Sequence, residues 1–211
     1  MTARKNASKG KSGVTTVVEI HPSAIARERS RETTSAIGMM VALAAWAMMF
    51  AALLFTYLGL RSQAKSWPPP GLELPLALPA VNTVVMLASS VTLARGLEQL
   101  RGGAHKAAIG WTAVTFGLGW LFVALQVGLW RGLWQSGITF RTGAVGTVVY
   151  ALTSLHALHV LAGLVALGYL LVAATRGSQL HRKVTTLRLC GMFWHFVDAV
   201  WIVMFVSMFL L

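Results

Sequence analysis

Five long apolar runs divide the chain, near Thr34–Leu60, Leu74–Ala94, Ala107–Trp130, Gly143–Thr175 and Leu189–Leu211. A helix crossing a bilayer needs roughly 20 mostly apolar residues, so each run is long enough to span. The runs are continuous, whereas the strands of a membrane barrel alternate over about ten residues. The pattern predicts an all-α polytopic membrane protein, a five-transmembrane-helix bundle. The fourth run is longer than a straight crossing requires and is expected to tilt or to emerge from the hydrocarbon. Ahead of the runs, residues 1–33 are polar and rich in Ser, Thr, Lys and Arg. They read as a basic, flexible tail, and residues 34–211 as the transmembrane domain. The only apolar cluster in the tail, Val14–Ile20, is too short for the core of a signal peptide.

Composition supports the membrane class and changes the meaning of the charge. Of 211 residues, 56% are hydrophobic and only 11% charged, with a net charge of +12. A soluble domain carries about 25% charged residues. A nucleic-acid partner would need the basic residues gathered on one solvated face, but here they fall between the apolar runs. They report topology instead. Seven Lys and Arg precede the first run, three lie between the second and third, and four between the fourth and fifth. The other two connections hold two each. Positive residues stay inside, so the count predicts the N-terminus inside and the C-terminus outside. Cys190 is the lone cysteine, which excludes an internal disulfide framework.

With so few charges, polar residues at membrane depth are informative. Asp198 is the only aspartate in the chain, and a charged group at the bilayer centre costs at least about 2.5–3.5 kcal/mol on insertion scales. His195 stands three residues before it on the fifth run, and the fourth run carries His156 and His159, also three apart. Each pair shares one helix face. Antiparallel neighbours could bring the two faces together in the middle third of the membrane. Such a cluster fits a buried hydrogen-bonded lock between the last two helices or a contact with another subunit. Three His and one Asp are also chemically adequate for zinc or iron, but their pattern matches no defined site. Proton transfer through Asp198 lacks a second mid-membrane acid to continue a relay. Asn82, Ser89, Ser90 and Gln126 read as interhelical hydrogen-bonding groups. Trp111, Trp130 and Trp134 fit an interfacial aromatic belt, and Gly163 and Gly168 permit close helix contact.

The residues around these groups resemble the cytochrome c oxidase subunit III family, the five-helix form among haem–copper oxidases. "FWHFVDAVW" is similar to the family's Trp-His-Phe-Val-Asp-x-x-Trp and supplies Trp194, His195, Phe196, Val197, Asp198 and Trp201. "LHALHVLAG" resembles its His-Gly-x-His-Val motif, with Ala157 in place of the usual glycine. "LFTYLGLR", "WPPPG", "NTVVMLASS" and "LGWLFVALQ" follow the family order and contribute Tyr57, Arg61, Trp67, Asn82, Ser89, Ser90 and Gln126 among others. The likeness runs from Thr34 to the C-terminus. Three positions depart from it: Trp46, Leu129 and Arg188 stand where the family commonly has glutamates. The tail also leaves no room for the two extra N-terminal spans of seven-helix members. These departures argue against a lipid cleft of that form and against a proton-antenna role for those carboxylates.

The resemblance implies a non-catalytic integral membrane subunit of a respiratory terminal oxidase, with no haem, copper or other metal of its own. Haem and copper would belong to a partner catalytic subunit. This chain would pack beside that subunit and other oxidase subunits, support oxygen reduction and proton uptake, and contact membrane lipid, including bound phospholipid. A bacterial cytoplasmic (inner) membrane is the expected location. Two other readings stay open at the level of sequence: an accessory subunit of a nitric oxide reductase, and a small proton-coupled transporter using Asp198.

Overall fold

Inside a bilayer no water satisfies backbone N–H and C=O groups, so a spanning segment must close its hydrogen bonds within itself. The computed structural model shows that outcome. It describes residues 22–63, 76–135, 137, 139, 144–175 and 180–210. Five helices follow one another: α1 (Pro22–Gln63), α2 (Ala77–Arg101), α3 (His105–Gln135), α4 (Ala144–Thr175) and α5 (Leu180–Phe205), which ends in a π-helical turn at Val206–Leu210. No strand occurs among the described residues. Each helix contains a stretch long and apolar enough to cross a membrane: Ser30–Gln63, Ala77–Arg101, His105–Gln135, Gly146–Ala174 and Val184–Leu210. The all-helical, five-span architecture expected from the sequence is therefore present, and the chain is an integral membrane protein.

The helices run past the apolar stretches that identified them. α1 begins at Pro22, inside the segment read as tail. Arg95 and Arg101 ride on the end of α2, Lys106 on the start of α3, and Arg188 on α5, whereas the hydropathy pattern placed all four in connections. Between α2 and α3 only a short turn remains. Ala104 N–H donates to Gln99 C=O at 2.9 Å and Gly103 N–H to Leu100 C=O at 3.2 Å, the paired bonds of a Schellman cap. Gly103 has φ +81°, a backbone state that costs a side chain dearly and glycine little. Trp67, Pro68 and Gly71 of the first connection lie outside the described residues.

α2 and α3 form an antiparallel hairpin, α4 packs on α3 and α5, and α5 closes back onto α2. α1 lies outside this four-helix unit, against α4 and α5. The main core joins Met86 and Leu93 of α2, Phe122 of α3, Leu164 of α4 and Trp194 of α5. Trp194 is fully enclosed because two glycines make room for its ring. A Cβ placed on Gly119 would come within 2.8 Å of its Cη2, and one on Gly163 within 2.9 Å of its Cε3 and Cζ3. A smaller core of Phe50, Tyr57, Leu152, Met204 and Met208 fastens α1 to α4 and α5.

Candidate functional site

α5 carries the polar residues of the site at mid-depth. From the start of its span at Val184, His195 lies about 16 Å along the helix and Asp198 about 21 Å, at 1.5 Å per residue. Facing them is α2, which runs the other way and presents hydroxyls at matching heights. Trp194 Nε1–H donates to Ser89 Oγ at 2.9 Å, and Ser89 in turn donates to Met86 C=O at 2.7 Å. Further along, Trp201 Nε1–H donates to Thr83 Oγ1 at 3.0 Å. Between these two rungs, Ser90 Oγ donates to Asp198 Oδ2 and lies 2.9 Å from His195 Nδ1. A hydroxyl has one proton to give. With that proton on the carboxyl, His195 Nδ1 is the donor to Ser90, and Nε2 is left as the ring's acceptor.

Asp198 is nearly enclosed at 5% exposure, whereas His195 is exposed. Asp198 Oδ1 is buried and has no hydrogen-bond partner. The knot of Ser90, His195 and Asp198 thus reaches from the α2–α5 seam to the outer surface of α5 and is incompletely satisfied on its own.

The histidines of α4 sit elsewhere. His156 is fully buried among rings: Trp201 at 5.2 Å, Phe122 at 5.7 Å and Phe50 at 6.4 Å between centroids. Neither of its nitrogens has a hydrogen-bond partner. His159 Nδ1 donates to Leu155 C=O at 2.7 Å, and its ring meets the edges of Trp46 and Phe50, each at 5.2 Å. The four residues grouped by the sequence therefore divide in two. Asp198 finds its partner on α2, and the lock expected between the last two helices lies between α2 and α5. Among the described residues, no three His, Cys, Asp or Glu side chains converge as a metal would require.

The remaining motif residues serve neighbouring helix contacts. Asn82 Nδ2 donates to Gln126 Oε1 at 3.3 Å, linking α2 to α3. Arg61 donates from Nη1 to Ser207 C=O at 3.1 Å, covering a carbonyl at the C-terminal end of α5, where helices leave such groups open. Tyr57 is buried one turn before it. At the positions where the family commonly has glutamates, Trp46 packs on His159 and Phe193, Leu129 is fully buried, and Arg188 is exposed. Sequence reasoning missed Thr83, although it stands seven residues before Ser90 on the same helix face, and missed the pairing of Thr92 with Thr115 at 2.8 Å.

Similarity to known proteins extends along nearly the whole chain. The family described as cytochrome c oxidase subunit III matches residues 14–211, so the match begins twenty residues before the motif likeness at Thr34. A probable cytochrome c oxidase subunit 3 of Mycobacterium tuberculosis is 35% identical over 177 residues, covering 83% of this chain and 87% of the relative. The cytochrome c oxidase subunit 3 of Thermostichus vulcanus is 30% identical over 197 residues, 92% of this chain and 96% of its own length. That of Latimeria chalumnae is 34% identical over 148 residues, 68% of this chain and 54% of the relative.

Proposed function

Because the chain belongs to the cytochrome c oxidase subunit III family, we propose that it is the non-catalytic membrane subunit that packs beside a haem–copper catalytic subunit. Members of the family act within haem–copper oxidase complexes and carry no redox cofactor themselves. Haem and copper then reside in the partner, and this chain supports proton uptake and the integrity of the oxygen-reducing site from outside it. The observation that carries the reading is the match through all five spans. In this reading the N-terminus lies in the cytoplasm and the C-terminus outside, supported by the excess of Lys and Arg in the tail and around the second and fourth connections. A bacterial cytoplasmic membrane is the compartment in which that topology and the bacterial relatives fit together.

Purifying the tagged chain from its native membrane in mild detergent tests this directly. The expected result is a visible spectrum with haem bands and, by mass spectrometry, a large haem–copper subunit in the same fraction. A colourless preparation without such a subunit would overturn the reading. The identity of the large subunit also distinguishes an oxygen-reducing complex from a nitric oxide-reducing one.

A further inference from the structure

Within the middle third of the five spans, His195 is the one exposed histidine or charged residue among the described residues. Lipid tails offer its ring no hydrogen-bond partner, and groups left unsatisfied in hydrocarbon are costly. Its Nδ1 is paired with Ser90, which leaves Nε2 as the ring's remaining hydrogen-bonding atom. Beneath it, Asp198 Oδ1 also lacks a partner. That carboxyl oxygen is enclosed, so the position of the knot open to a partner is His195 at the surface.

The surroundings suit a helix. α5 packs against α2 on one side and against α4 and α1 on the other, yet keeps His195, Ala199, Ile202 and Val206 exposed. These recur at steps of four, three and four, one straight line along a helix. Beside this line, α2 exposes Ala80, Val84, Leu87, Val91 and Ala94 at the same alternating spacing. Small side chains such as Ala199 and Ala94 let a neighbouring helix approach closely, as interfaces between membrane helices require. The outer face of α4 differs. Its exposed Leu158 and Val165 offer mid-depth lipid nothing but hydrocarbon.

We propose that the α2–α5 face centred on His195 is where a transmembrane helix of the catalytic subunit docks, bringing a hydrogen-bonding side chain to His195 Nε2. The proposal rests on the functional reading above and adds the face and the anchoring group. Lipid does not compete for this role, because it cannot pair the imidazole at mid-depth.

Site-specific photocrosslinking in the intact complex tests it. A benzophenone amino acid is placed at Leu87, Ala199 or Ile202, and for comparison at Leu158 or Val165, in the full chain expressed with its partner subunits. After irradiation of native membranes, the first three positions are expected to yield adducts with the haem-bearing subunit and the last two none. Adducts from Leu158 or Val165 alone, or none from any position while haem still co-purifies, would overturn the placement and leave the oxidase reading standing. Failure of any haem-bearing subunit to co-purify would remove both. The anchoring bond has its own readout, the haem recovered per tagged chain. His195→Leu is expected to lower it about 3- to 10-fold, the range set by membrane hydrogen bonds, while His195→Gln keeps most of it. Equal recovery for wild type and His195→Leu would exclude the hydrogen bond.

Discussion

His156 with His159, and His195 with Asp198, share the same three-residue spacing on helices of similar character, yet the fold treats them oppositely. The α4 pair is enclosed by Phe50, Phe122, Trp46 and Trp201, with His156 making ring contacts alone. The α5 pair is tied to a serine hydroxyl and opens to the surface of the bundle. Spacing decides that two side chains share a face. What that face meets is decided by other helices, and here by α2, which carries hydroxyls at the right heights, and by α1 and α3, which carry rings. Trp201 marks the boundary, since its ring lies against His156 and its N–H goes to Thr83.

The largest test of this division removes the residue that seats the α2–α5 seam. Trp194→Ala deletes a fully buried ring together with its bond to Ser89, and a loss of about 3–5 kcal/mol is expected from the cavity. Reversible unfolding in mixed detergent micelles measures it. Gly163→Val should approach the same loss from the other side, because a Cβ added there would stand 2.9 Å from the ring, and a displaced indole would give a changed tryptophan emission. If either variant unfolds like the wild type, Trp194 does not seat the seam.

Much of this was legible in the sequence, for reasons that also explain the rest. Hydropathy reads the solvent around a side chain, so the five spans were found, but it does not read the backbone ladder. That ladder carries α2 on to Arg101 and starts α3 at His105. The departures from hydrocarbon at Asn82, Ser89, Ser90, Gln126, His195 and Asp198 were visible because polar atoms are rare there, and all of them occupy helix contacts. Their partners were not visible. The match of Asp198 to Ser90 spans 108 positions and depends on how α5 rotates against α2. That rotation is set in turn by Trp194 entering the notch of Gly119 and Gly163. Glycines, being common in membrane helices, give no sign of what they accommodate.

A smaller effect separates the two histidine regions directly. Asp198→Leu strips Ser90 of its acceptor at the seam and is expected to cost about 1–2 kcal/mol. His156→Leu loses ring contacts of about 0.5–1.5 kcal/mol but also removes two nitrogens that have no partner, so the terms largely offset. It should fall within about 1 kcal/mol of wild type, below Asp198→Leu in the same unfolding assay. A reversed order would mean that His156 has a polar role that its enclosure by rings does not reveal, and the contrast between the regions would fail.

The smallest effect comes from the amides of Asn82 and Gln126, which belong to neither region and calibrate both. Both are buried, joined by one bond of 3.3 Å, and each retains an unpartnered polar atom, Oδ1 of Asn82 and Nε2 of Gln126. That distance is at the long end of the range for such bonds, and in a bilayer the unfolded reference also finds partners for its polar groups. A double-mutant cycle of Asn82→Leu and Gln126→Leu should therefore give a coupling near 0.6 kcal/mol and no more than about 1.7 kcal/mol. The double variant should be less damaged than the two single changes added together, since each single change orphans the other amide completely. A coupling at or below that of a parallel Ser90→Ala, Asp198→Leu cycle keeps the seam as the principal polar fastening of the bundle. A larger one would move that role to the contact between α2 and α3.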